Sequence, residues 1–520
     1  MRLFKKIITI STLFALGTIA LSGCSGDKNS NSNNATSELN NSSGEKTYGG
    51  TVVVGIQQDL DSLDPHLVEA AGTREVLFNV YEGLVKPTPE GDLIPAVASD
   101  VTVSEDATEY VFTLRDGILF HNGNLVTVED IEYSLKRCAG MLEGQSAPLT
   151  SAYSAFASVE IVDEKTVKVT LSQPDSEMLA YMTTAIIPKD SDKTGELSGT
   201  GPFQFVSYSP LESYIVEKNQ NYWSEENAAY LDRVEFKVIA DSNLAVTQLK
   251  SGTIQVYPYM TDDQALSVEN DMQVLAGHMN LVQALYLNNE AGPLSDVKVR
   301  QAICYALNKE EINLMVAGGR GTEISTSMFS GFEKYYNKDL DSVYSYNIEK
   351  AKSLLTEAGY ENGFDLTITV PSNYQFHMDT AQVIVEQLKA VGINATIEPI
   401  EWESWLEEVY VGRNYEATVI GLDANMSPKD ILYRFETGNS KNFINFSSPA
   451  FDEAFQKAVA TTNDEEKVTY YKEAQAALTN EAATAYIMDP PLLVALDHNL
   501  AGYTFYPLYV MDMAKVYYVK

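Results

Sequence analysis

The sequence predicts an α/β protein divided into at least two domains, and three observations lead there. The chain has 520 residues, and a single hydrophobic core stops growing well before that length. Hydrophobic residues make up 45% of it, enough to bury a core and to exclude wholesale disorder. The stretch from Asp365 to Ile400 reads as a strand (Asp365 to Val370), a helix (Asp379 to Val391) and a strand (Ile393 to Ile400), the order of a parallel crossover unit.

The elements follow in chain order. Arg2, Lys5 and Lys6 precede an apolar stretch, Ile7 to Ala20, that is too short for a lasting membrane span and fits a signal sequence. It ends in Leu21-Ser22-Gly23-Cys24, which resembles the lipobox of bacterial lipoproteins. The resemblance implies a signal peptide over residues 1–23 and a lipid on the Cys24 sulfur. Residues 24–47 are rich in Ser and Asn and read as a flexible tether with an end-to-end distance of roughly 25–30 Å. The β-branched run Thr51 to Ile56 predicts a strand. Tyr110 to Leu114 alternates like a strand, Asn122-Gly123 marks a hairpin turn, and Thr127 with Asp130 predicts a capped helix running through Arg137. Thr166 to Leu171 is a further strand. Helical spacing recurs over Asp296 to Leu307, Asn347 to Ala358, Pro449 to Thr461 and Glu465 to Glu481. The C-terminal segment returns to short strands rich in Tyr and Val.

The formal charge of −36 argues against nucleic acid and against adsorption to anionic lipid. Beyond Cys24, Cys138 and Cys304 read as two separately buried thiols, with a disulfide as the alternative. His66, His121, His278, His377 and His498 show no metal-ligand spacing. The chain carries no G-x-S-x-G elbow, P-loop Gly-Lys pair, H-E-x-x-H or C-x-x-C, so no pattern nominates catalytic chemistry.

Several ordered motifs carry a more specific resemblance. The run from Tyr110 through Arg115, Gly117, His121, Gly123, Thr127, Asp130 and Tyr133 to Arg137 is its centre. Leu63-Asp64-Pro65, Tyr81-Glu82-Gly83-Leu84, Gly199 to Phe203, Asn221-Tyr222-Trp223, Pro293 to Ala302 and Ala351 to Tyr360 extend it. Together they resemble the family 5 extracellular solute-binding proteins, which include the oligopeptide- and dipeptide-binding proteins of ABC importers. The resemblance implies a two-lobed, periplasmic-binding-protein-like α/β fold that closes about a hinge. Lobe I would comprise residues 48–84, 186–278 and 486–520, with an inserted subdomain over 85–185. Lobe II would occupy residues 279–485. His121 and Arg300 are expected to be structural, Arg300 by pairing with a neighbouring acid.

The same resemblance implies a function and a site: a monomeric, lipid-anchored extracytoplasmic protein, without a cofactor, that passes a short peptide to ABC permease subunits. The peptide would lie extended in the cleft between the loop Val68 to Gly72 and the segment Ile420 to Met426. The substrate-binding residues implied are Glu69, Ala71, Gly72, Trp402, Gly421, Leu422, Asp423, Asn425 and Tyr486. Trp402 has an alternative as a core anchor. Peptide-binding relatives carry Gly-Trp-x-x-Asp here, and the Asp pairs with the peptide amine. This chain lacks that tryptophan, and the acid position falls on Asn425 or, with a gap, on Asp423. Arg320, Lys334 and Arg413 are available for a carboxylate. Alternative ligands are a metal chelate, a haem-like group or an oligosaccharide, and an alternative role is that of a peptide-pheromone receptor.

Overall fold

A computed structural model describes residues 45–424 and 427–520. The signal peptide, Cys24 and most of the tether lie outside the described residues.

The central strand of the first sheet is Thr51–Ile56, and its neighbours Arg233–Val238 and Val256–Tyr257 run parallel to it. Its unbroken apolar run suits a strand covered on both faces; Val52 and Val54 have no exposure. Ser213–Lys218 and Phe203–Ser209 extend the sheet on one side, and Pro491–Leu496 and Gln273–His278 on the other. This seven-stranded sheet organises lobe I.

The second sheet runs Thr322–Glu323, Thr484–Asp489, Val282–Leu287, Ala417–Leu422, Phe364–Pro371, Ile393–Ile400 and organises lobe II. The predicted crossover unit is present: Phe364–Pro371 pairs in parallel with Ile393–Ile400 from Phe364↔Ile393 onward. The helix between them spans Gln375–Lys389. It starts earlier than Asp379 because its buried stripe begins at His377 and continues through Thr380, Ala381, Ile384 and Leu388.

A separate four-stranded antiparallel sheet, ordered Ala98–Val103, Glu109–Leu114, Thr166–Leu171, Phe156–Asp163, packs with the helix Val128–Cys138 around its own core. Asp130 caps that helix, accepting from the Thr127 N–H at 2.8 Å. At its other end Arg137 donates to Asp64 at 2.9 and 2.6 Å and pairs with Asp192 at 3.2 Å, fastening the inserted subdomain to lobe I.

The recognisable motifs converge on structural knots. Glu82 accepts from Tyr222 Oη at 2.7 Å, Trp223 Nε1 at 2.8 Å and Thr200 Oγ1 at 3.2 Å, joining three of them at one carboxylate. Gly199 belongs to this knot because a Cβ there would lie 2.1 Å from the Val80 carbonyl oxygen. His121 Nε2 meets the Gly201 carbonyl at 3.0 Å, and its Nδ1 accepts from the Gly199 N–H at 3.2 Å. Arg300 departs from expectation. Its guanidinium donates to the carbonyls of Leu294, Ser295, Glu481 and Ala482, closing two loops rather than meeting an acid. Cys138 and Cys304 are free and buried.

Two crossings join the lobes, at Met279–Leu281 and at Pro490. They lie side by side, with the Met279 N–H donating to the Pro490 carbonyl at 2.9 Å. Asn280 has φ +57°, and its amide donates to the Tyr506 carbonyl at 2.9 Å. Asp489 accepts from the Leu281 N–H at 3.2 Å. The second crossing falls later than the expected boundary at Tyr486, because Thr484–Asp489 continues its ladder with Val282–Leu287 through Met488. Tyr486 therefore belongs to the lobe II sheet.

Candidate ligand-binding cleft

A cavity of about 920 Å³ lies where lobe I, the inserted subdomain and lobe II meet. That volume is at the upper end for small-ligand sites and suits a short peptide. Lobe I contributes Val68 from the start of the predicted loop, Arg74 from the helix Ala71–Leu77, and Phe78 at that helix's C-terminal end. The subdomain contributes Asp175 and Tyr181, the C-terminal segment Tyr506 to Asp512, and lobe II Asp423, Lys429, Tyr433 and Arg434.

The residues expected from sequence fall in different places. Asp423 lines the cavity, and Asn425 lies outside the described residues. Glu69 is exposed, and Ala71 and Gly72 are half-buried at the start of the helix Ala71–Leu77; none lines the cavity. The backbone there is already engaged: the N–H groups of Glu69 and Ala70 donate to Asp61 Oδ2 at 2.8 and 3.0 Å, which satisfies donors that a strand-like ligand would need. Trp402 stacks on Trp405 at 5.1 Å with planes 5° apart and meets Tyr374 edge-on at 5.3 Å. Trp405 in turn donates Nε1–H to Thr418 at 2.9 Å within the lobe II core, and Trp402, itself half-buried, packs against the edge of that core. Gly421 faces Leu281 and His377, while Leu422 and Tyr486 are buried in the same core as Trp405.

The basic residues proposed for a carboxylate lie elsewhere. Arg320 is held by Asp262 and Glu269, both at 2.9 Å. Lys334 pairs with Asp464 at 3.4 Å, and Arg413 reaches Asn445 at 3.3 Å and two nearby carbonyls. Arg434 is instead the lobe II arginine in the cavity wall. Nothing in Tyr433-Arg434 sets it apart from a surface arginine in sequence; its burial arises only once the helix Pro428–Leu432 is docked.

Most charges lining the cavity are engaged. Lys86 meets Glu82 at 3.3 Å and Tyr222 Oη at 3.1 Å, and Lys515 donates to Asn227 at 2.7 Å. Lys429 pairs with Asp175 at 2.5 Å, and Tyr181 donates to Asp430. Just beyond the wall, Glu177 accepts from Ser427 at 2.6 Å and pairs with Lys467 at 3.2 Å. These four contacts tie the subdomain to lobe II. Burial works against the charge on Arg434, but the fields of Tyr410, Tyr433 and Asp423 outweigh it and hold its pKa above the ordinary value. Behind the lobe I wall, burial pushes the Glu75 carboxyl up to about 7, although it accepts a hydrogen bond from Tyr259.

Two α/β lobes, two adjacent crossings and a cavity between the lobes define a two-lobed binding protein. The sequence pattern of the bacterial extracellular solute-binding proteins, family 5 (middle), matches residues 92–443, and the chain belongs to that family. It is 26% identical to Heme-binding protein A of Haemophilus influenzae over 94% of this chain and 95% of that protein. It is 25% identical to the oligopeptide-binding protein AppA of Bacillus subtilis over 96% of each. The periplasmic binding protein DppA from Helicobacter pylori, solved in complex with the peptide STSA, matches with a TM-score of 0.72 at 25% identity. That match covers 91% of this chain and 99% of the other. No described helix is long and apolar enough to cross a membrane.

Proposed function

We propose that the protein is the lipid-anchored, extracytoplasmic solute-binding component of an ABC importer, capturing short peptides in the interlobe cleft and delivering them to the permease. The observation that carries this reading is the cavity of about 920 Å³ walled by both lobes, with the Asp423 carboxylate on its lobe II side. A carboxylate there is a partner for a ligand ammonium, and the size accommodates several residues. AppA and DppA, whose names and bound peptide concern peptides, support the same ligand class. The lipobox-like Leu21 to Cys24 supports anchoring through Cys24, which leaves the folded part free of any need for a membrane span. Binding without turnover fits a site that must release its ligand unchanged.

Native mass spectrometry of protein purified without denaturation tests the ligand class. A retained mass, or a ladder of masses, matching short peptides is expected. A haem-sized, chelate or saccharide mass would replace the peptide reading. Asp423→Ala and Asn425→Ala, measured separately by calorimetry with a peptide mixture, test which position meets the amine; Asp423→Ala is expected to weaken binding about 10- to 100-fold.

A further inference from the structure

We infer that Asp423 and Arg434 together form a subsite for a zwitterionic α-amino-acid head, a single ligand carbon carrying both an ammonium and a carboxylate. The inference rests on the peptide-cleft reading above and narrows the ligand within it. Both side chains line the same wall of the cavity. Arg434 Nη2 and Asp423 Oδ1 stand 3.9 Å apart, close enough to attract but too far for a hydrogen bond. Neither group therefore satisfies the other. Arg434 is 16% exposed, and its Nε is buried without a hydrogen-bond partner among the described residues. A buried donor on a charged group left unsatisfied is costly, whereas a carboxylate arriving from the ligand would take two guanidinium N–H groups at once.

Of the other cations that line the cavity, Lys429 and Lys86 have carboxylate partners, Lys515 donates to Asn227, and Arg74 donates to the Glu69 carbonyl at 2.9 Å. Asp423 is 52% exposed and open to an incoming ammonium. The amino terminus of an ordinary α-linked peptide presents an ammonium beside an amide, which answers Asp423 and leaves Arg434 with a neutral acceptor at best. A carboxyl terminus answers Arg434 alone. A head bearing both charges on one carbon, as in a γ-glutamyl peptide or another side-chain-linked amino acid, places each charge against its opposite at two adjacent groups.

The probes are γ-Glu-Ala-Ala, its isomer α-Glu-Ala-Ala, and Ala-Ala-Ala, titrated calorimetrically into the unaltered protein freed of endogenous ligand. The two isomers have the same atoms and net charge and differ only in where the carboxylate sits. The γ-isomer is expected to bind at least about tenfold more tightly. Arg434→Gln, with its fold checked by circular dichroism and thermal melting, is expected to erase that preference by weakening γ-Glu-Ala-Ala at least about tenfold more than α-Glu-Ala-Ala. Equal or reversed isomer affinities overturn the subsite and leave the peptide cleft standing, as does an Arg434→Gln protein that keeps the preference. Failure of all three probes to bind overturns the peptide reading and the subsite with it. Should Arg434→Gln not fold, the isomer comparison on the unaltered protein decides alone.

Discussion

Glu82 shows what a recognisable residue does in this protein. Its side chain is 5% exposed and accepts from Tyr222, Trp223 and Thr200 while pairing with Lys86. Removing such an acceptor strands several buried donors and one ammonium, a loss of about 3–5 kcal/mol. Glu82→Ala is thus expected to lower the midpoint of urea unfolding substantially, and Glu82→Gln by less, because an amide oxygen still accepts. Equal midpoints for Glu82→Ala and the unaltered protein would remove the knot from the account. Glu82 was legible in the sequence because its motif neighbours are. Arg434 was not: an arginine between Asp430 and Glu436 in the chain carries no mark of its burial, which depends on the docking of distant segments. Asp423 stood between, visible as an acid near the right place but ambiguous in register because the tryptophan that anchors the family pattern is missing.

At the scale of elements, the hinge combines legible and illegible parts. The crossover Phe364–Pro371, Gln375–Lys389, Ile393–Ile400 followed from periodicity, since each piece carries its own repeat. The second crossing did not, because Ala485 to Met488 is apolar throughout and an unbroken run does not announce which sheet it joins. Asp489 ends that run fully buried, accepting from the Leu281 N–H and, at 3.4 Å, from Ser330, near His278, whose own pKa burial lowers. Burial pushes the Asp489 carboxyl up to about 7. The sign follows from linkage. Below about pH 4 the carboxyl is protonated in both states and costs nothing. Between about pH 4 and 7 the unfolded chain ionises while the folded one holds its proton, so stability falls as pH rises, by up to about 1.4 kcal/mol per pH unit. Asp489→Asn mimics the protonated form and is expected to unfold at a higher temperature than the unaltered protein at pH 8 and at nearly the same temperature at pH 4.5. Glu75, raised to a similar value, contributes equally to both proteins and cancels in the difference. Parallel melting curves at the two pH values would show that Asp489 ionises freely.

Across the whole molecule, the two-lobed plan was legible through the family motifs, whereas the contact between the inserted subdomain and lobe II was not. Ser427 and Glu177 stand 250 residues apart, and neither has a local pattern that points to the other. That contact has a consequence for closure. The segment Ser427 to Asp430 carries ties to the subdomain at the cavity's edge, and opening the cleft by hinge rotation must break them. Asp175 is 5% exposed, so Lys429→Ala leaves its carboxylate buried without a cation in the arrangement seen here. An open arrangement instead lets that carboxylate hydrate. The penalty falls on one state only, and a difference of that kind is what shifts a conformational equilibrium. With Tyr181→Phe removing the bond to Asp430 as well, the double variant is expected to populate the open form more in the absence of ligand. Its radius of gyration by small-angle scattering should exceed that of the unaltered protein and return to the same value at saturating peptide. Because apparent affinity scales with the closed-competent fraction, peptide binding should weaken about 5- to 30-fold, with no cavity-wall contact to the amine or carboxylate removed. A double variant with unchanged scattering and unchanged affinity would mean that the ties follow closure and do not contribute to it.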